Sequence, residues 1–221
     1  MKKTGIALLA AVLLCGCFAT GAETQNLGGW QINTEFTPVL REEEELLLEK
    51  ARAADGGYTT LIPVTVVASQ VVSGMNYAYL CLNDEEDHTG WVIAVVYETA
   101  THDAAITSVK EISIPDASGK QGIPSGMMGG WSVKEEIANA ITLPQDIFSD
   151  YNLAADQYEK TVLYPLALLA TQPVSGTNYL VLAKGEEDGV MQLFVTTAWK
   201  KADGSVEMTD VSYFDLLSLV S

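Results

Sequence analysis

Hydrophobic and polar positions alternate along this chain in blocks that occur twice. Leu61 to Ala68 is an apolar run rich in Val, Ile and Thr, and Tyr77 to Leu82 is a second, shorter one. Between them lies Ser69-Gln70-Val71-Val72-Ser73-Gly74-Met75-Asn76. Two β-prone runs joined by a few residues that include Ser and Gly predict a hairpin. About 102 residues further on the block returns: Leu163 to Ala170, then Thr171-Gln172-Pro173-Val174-Ser175-Gly176-Thr177-Asn178-Tyr179, then Leu180 to Ala183. Gln, Val, Ser, Gly, Asn and Tyr keep step in both copies, so the chain is an internal repeat.

The flanking pattern repeats as well. Gly28-Gly29-Trp30 is matched by Gly129-Gly130-Trp131. Phe36 to Ala54 predicts a helix, with Thr37 as N-cap, Pro38 as first helical residue and Glu42 to Glu45 near the positive end of the dipole. Its inner stripe would be Phe36, Leu40, Leu47, Ala51 and Ala54, and Asp55-Gly56-Gly57 would stop it. In the second copy Leu143-Pro144-Gln145-Asp146 opens a helix whose inner stripe is Ile147, Tyr151, Ala154, Ala155 and Tyr158. Pro63 and Pro165 each follow a Leu by two residues and confine those positions to a strand start, an edge or a bulge. A second hairpin follows in each copy, Trp91 to Tyr97 with Ile106 to Ile114, and Met191 to Trp199 with Val206 to Phe214, the latter turning at Asp203-Gly204. Each unit thus reads as α+β: a short first strand, one helix, and four antiparallel strands that bury one face under it.

The expected layout is a leader over 1–22, a first domain over 23–115, a linker over 116–127 rich in Gly, Ser and Pro, and a second domain over 128–221. With 221 residues, 48% hydrophobic and 19% charged, each unit is long enough for a core. Twelve basic against 29 acidic residues give a formal charge of −17, which repels nucleic acid and anionic lipid head groups. Lys2-Lys3 and the apolar Ile6 to Leu14, too short for a bilayer, predict an export signal. Leu14-Cys15-Gly16-Cys17 resembles a bacterial lipobox, which implies lipidation at Cys17; cleavage after Ala19 or Ala22 is the competing reading. The protein is accordingly expected outside the cytoplasm, anchored by lipid to the outer face of a bacterial membrane or secreted. Cys81 would be a lone buried thiol on a strand, and the acidic turns near Glu85 and Glu186 read as solvated rather than calcium-binding.

Order, spacing and motif together resemble the cystatin family of cysteine-protease inhibitors, in two tandem copies. The family pattern is an N-terminal Gly, a Q-x-V-x-G first loop and a Pro-Trp second loop. Gly28-Gly29 and Gly129-Gly130 stand at the first part. Gln70-Val71-Val72-Ser73-Gly74 and Gln172-Pro173-Val174-Ser175-Gly176 satisfy the second. Ala198-Trp199 stands at the third in copy two, with Ala in place of Pro; copy one is aligned there at Glu98-Thr99, with Tyr97 the nearest aromatic. The resemblance implies a monomeric wedge of these residues that enters the cleft of a papain-like cysteine protease, with Trp199 as an exposed anchor. The same fold also serves as a non-enzymatic surface binding or scaffold module, for which the discriminator is exposure of Val71, Val72 and Trp199. No cofactor is implied. Catalysis is not expected: two histidines in the chain, His88 and His102, both in copy-one turns, and no zinc, phosphate-loop or nucleophile-elbow spacing.

Overall fold

A computed structural model describes residues 29–34, 39–85, 88–114, 130–133 and 143–221. The expected leader, its Cys17, Gly28, Gly129 and the 116–127 linker lie outside these residues. Unit one comprises β1 (Trp30–Ile32), α1 (Glu42–Asp55), β2 (Leu61–Val71), β3 (Gly74–Glu85), β4 (His88–Thr99) and β5 (Ala104–Glu111). Unit two comprises α2 (Gln145–Ala155), β6 (Tyr164–Val174), β7 (Gly176–Glu187), β8 (Val190–Lys201) and β9 (Val206–Tyr213), with a final short helix α3 (Leu217–Val220). Both sheets are antiparallel and run in sequence order, β1-β2-β3-β4-β5 and β6-β7-β8-β9. Among the described residues, the counterpart of β1 in unit two is a single bridge, Ser132 to Thr171.

Of the strand start, edge or bulge open to them, the two prolines take bulges near the starts of β2 and β6. Register slips between Pro63 and Thr65 on β2 and between Pro165 and Ala167 on β6, because a residue without an N–H cannot complete the ladder. Helix α1 starts later than the sequence suggested. Arg41 is its N-cap: the Arg41 N–H donates to Glu44 Oε2 at 2.9 Å, and the Glu44 N–H donates to the Arg41 carbonyl at 3.0 Å. Thr37 and Pro38 lie outside the described residues. The buried stripe of α1 is Glu44, Leu48 and Ala51 rather than Leu47 and Ala54, of which Leu47 is half-buried and Ala54 exposed. Helix α2 opens at Pro144 and buries Tyr151, Ala154 and Ala155 of its expected stripe; Ile147 is half-buried, and Tyr158, also half-buried, lies beyond the end of the helix.

Each sheet is covered on both faces. Leu48 and Ala51 of α1 lie on Val66, Tyr79, Cys81, Val92, Ala94 and Val96. The alternate residues, among them Ala78, Leu80, Leu82, Trp91 and Ile93, form one core with Leu168, Leu180 and Leu182 of the other sheet. Trp91 Nε1–H donates to the Leu169 carbonyl at 2.6 Å, and Lys184 Nζ donates to the Asn33 carbonyl at 3.0 Å, across the two sheets. On the outer face of sheet two, the hydroxyls of Tyr151 and Thr196 meet at 3.0 Å. The molecule is therefore layered helix, sheet, sheet, helix. The expected single covered face per sheet gives way to two, and this is why β2 and β6 read as unbroken apolar runs instead of alternating ones.

Candidate functional site

The repeated Gln-to-Asn segments are the tips of the β2–β3 and β6–β7 hairpins. Val71 pairs with Met75 and Val174 with Gly176, so both turns are tight. In each, the motif glutamine faces the asparagine six residues on. Asn76 Nδ2 donates to Gln70 Oε1 at 2.7 Å, and Asn178 Nδ2 donates to Gln172 Oε1 at the same distance. Gln and Asn keep step in the repeat because they are one cross-strand clasp. Gln172 is 8% exposed and Gln70 half-buried, so both belong to the stem of the loop.

The motif glycines have an equally local reason. A Cβ on Gly74 would collide with the Glu98 carbonyl oxygen and meet Tyr97 Cε2 at 2.9 Å. A Cβ on Gly176, which sits at φ +111°, would collide with the Lys200 carbonyl oxygen. The neighbouring strand passes directly over both positions, and only hydrogen fits.

The aromatic position differs from the sequence alignment. Trp199 pairs with Asn178, and the residue that pairs with Asn76 is Tyr97. Tyr97, not Glu98-Thr99, is thus the counterpart of Trp199. Trp199 Nε1–H donates to the Ser175 carbonyl at 3.1 Å, and Tyr97 Oη–H donates to the Ser73 carbonyl at 3.3 Å. Trp199 lies within β8 rather than in the turn after it, half-buried, with Lys201 Nζ 5.1 Å from its ring centroid. Its expected place as an anchor on a second tip gives way to that of a brace on the first. Ala198 is 1% exposed and faces the core.

What remains exposed is small and apolar. Val72 is 42% and Val174 45% exposed; Ser73, Pro173 and Ser175 are exposed, and Val71 is half-buried. Gly29 precedes Trp30, which pairs with Gln70, so the N-terminal glycine enters beside the first tip. The turn after β4, Ala100 to Asp103, lies at the same end of sheet one because β3 and β4 pair from Gly74 to Thr99. It is braced from within: His102 Nδ1 and Glu98 Oε1 are 2.7 Å apart, Thr101 Oγ1 donates to Asp103 at 3.0 Å, and Lys50 Nζ donates to the His102 carbonyl. Below it, the Tyr77 hydroxyl donates to Glu98 at 3.3 Å, and burial followed by the Glu98 charge raises its pKa. In unit two, Gly130 is half-buried just before the Ser132 bridge to Thr171, which brings it to the second tip.

Cys81 is a buried thiol whose pKa burial pushes up to about 12. Among the described residues no group of His, Cys, Asp and Glu could hold a metal ion, and no helix is long and apolar enough to cross a membrane. No protein-family model matches the chain, and no curated protein matches it.

Proposed function

We propose that the chain is a non-enzymatic exported binding protein whose working surface is the loop end of sheet one, and that it fits the active-site cleft of a papain-like cysteine protease. The observation that carries this reading is convergence. Gly29, the Val71–Gly74 tip and the Ala100–Asp103 turn share one end of a single sheet, with Val72 exposed at its point. Small apolar residues on a braced tip fill a narrow apolar cleft, set no scissile peptide bond against the catalytic pair and lose little entropy on docking.

A second reading is favoured by the same internal bonds. The Gln70–Asn76 clasp and the Gly74 close approach explain the motif as hairpin construction, which leaves a surface binding or scaffold module that does not inhibit. On either reading the anchor at Cys17 and export rest on the leader sequence.

The test is a fluorogenic assay of papain and a lysosomal cathepsin against the chain from Gln25 onward, with Val72→Asp beside it. Inhibition weakened at least about tenfold by Val72→Asp supports the wedge. No inhibition of either enzyme at micromolar protein moves the function to the binding module.

A further inference from the structure

Polar contacts cross between the sheets at equivalent places. Trp91 and Leu193 hold the same position in the two units: Ile112 N–H donates to the Trp91 carbonyl at 2.7 Å, and Phe214 N–H to the Leu193 carbonyl at 2.9 Å. Both positions are at the base of a sheet, away from its motif tip, where Trp91 pairs with Leu82 and Leu193 with Lys184. From the first base the Trp91 indole reaches the Leu169 carbonyl, in the middle of β6. From the second base Lys184 reaches the Asn33 carbonyl, and the Asn33 N–H is bonded to Val67, in the middle of β2.

Each base therefore rests on the middle of the other sheet. Sheets running the same way cannot do this, because the second base would then lie behind the first rather than over its middle. The two sheets run in opposite directions, and their tips leave the shared core at opposite ends of the molecule. Val72 follows Val67 by five residues and Val174 follows Leu169 by five, so each tip projects about 17 Å past the contact.

The far end repeats the near one part for part. The Ser132 bridge to Thr171 brings the N-terminal segment of unit two beside its tip, as Gln31 stands opposite Ser69 in unit one. The turn after β8 is built like the turn after β4. Lys201 N–H donates to the Ser205 carbonyl and Thr99 N–H to the Asp103 carbonyl, both at 2.8 Å. Gly204 N–H donates to the Lys201 carbonyl at 3.0 Å, and His102 N–H to the Thr99 carbonyl at 2.9 Å. At the points, Val174 is as exposed as Val72.

We propose that the chain is a bridge, whose two tips hold two molecules of the same cleft-bearing partner at once, one at each end of a single body. This rests on the reading of the first tip as a wedge for a papain-like cleft. Because the tips face opposite ways, a chain held by one partner keeps its other tip turned to solution, and the two partners do not compete for space.

The probe is papain with its catalytic thiol carbamidomethylated, so that it binds without cutting. Papain is fixed to a sensor surface, the chain from Gln25 onward is loaded onto it, and free papain follows. A second layer of papain that matches the loaded chain mole for mole is expected. Val72→Asp and Val174→Asp each weaken one exposed tip, by about tenfold or more. Either variant should still load through its intact tip, and at sub-saturating papain its second layer should fall about tenfold or more. The double variant should not load. If the wild-type chain itself does not load, the wedge reading fails and takes the bridge with it. If it loads and captures no second layer, the wedge stands and the bridge is overturned. A second layer that survives both single variants sets the second papain elsewhere, and overturns the bridge as well.

Discussion

Trp91 donates its indole proton to the Leu169 carbonyl from the opposite sheet, with 1% of the side chain exposed. This bond and the apolar surface around it join the units into one core, so neither sheet keeps its inner face dry without the other.

Trp91→Phe keeps much of the bulk and leaves the Leu169 carbonyl without its donor. A loss of about 1–3 kcal/mol is expected from the stranded buried acceptor. Calorimetry should show one transition for both units, moved down as a whole. Two separated transitions, with only the first moved, would contradict a common core.

Gly74→Ala places a methyl group against the Glu98 carbonyl and Tyr97. The strands must part, at about 1–3 kcal/mol or more. Gly176→Ala adds the strain of φ +111° and should cost at least as much. Denaturant melts of the two variants check this. Any loss of protease inhibition in a Gly74 variant would therefore report a damaged hairpin, whereas Val72→Asp at the exposed tip should leave the melt within about 0.5 kcal/mol of wild type.

Tyr97 and Trp199 should be exchangeable as braces. Tyr97→Trp and Trp199→Tyr each retain a donor for the loop carbonyl and should change stability by less than about 1 kcal/mol. Trp199→Ala removes the brace, and hydrogen exchange at Ser175 and Gly176 should accelerate while the core amides of β7 hold.

Alkaline pH should destabilise the fold through its buried acids. Cys81 has its pKa raised by burial to about 12 from an ordinary value of about 8.5. Tyr151 is likewise raised to about 12 by burial from about 10. The unfolded chain loses these protons first, so it binds fewer than the native state and stability falls as pH rises. Cys81 contributes from about pH 8.5 upward and Tyr151 from about pH 10, each at about 1.4 kcal/mol per pH unit until pH 12. Urea midpoints between pH 7 and 10.5 check this, and Cys81→Ala should flatten the first part of the decline.

Much of the layout was legible in the residues. The hairpins, the Pro63 and Pro165 bulges, α2 and the Asp203-Gly204 turn follow from alternation, missing N–H groups and turn chemistry. The start of α1 was misplaced because Arg41 is an unusual cap and its partner Glu44 sat unremarked in an acidic run. The second covered face was missed, although the unbroken Val64–Ala68 run carried the signal: a strand with one wet face would interrupt it. Tyr97 was legible as the counterpart of Trp199, since the 102-residue offset that matches Gln70 to Gln172 also matches these two; the Glu98-Thr99 alignment departs from that offset, and the position asks only for an aromatic donor in reach of the loop carbonyl.

The common core also bears on how such a chain arises. A lone unit would expose Ala78, Leu80, Leu82 and Ile93 to water and would persist only by meeting a second copy, at a rate and yield set by concentration. Placing both copies in one polypeptide makes that meeting intramolecular and independent of dilution. It also frees the halves from identity, and Trp91 and Leu193 show the result: two positions that symmetry would force to be alike now differ, and the indole at one of them reaches the carbonyl of the opposite sheet.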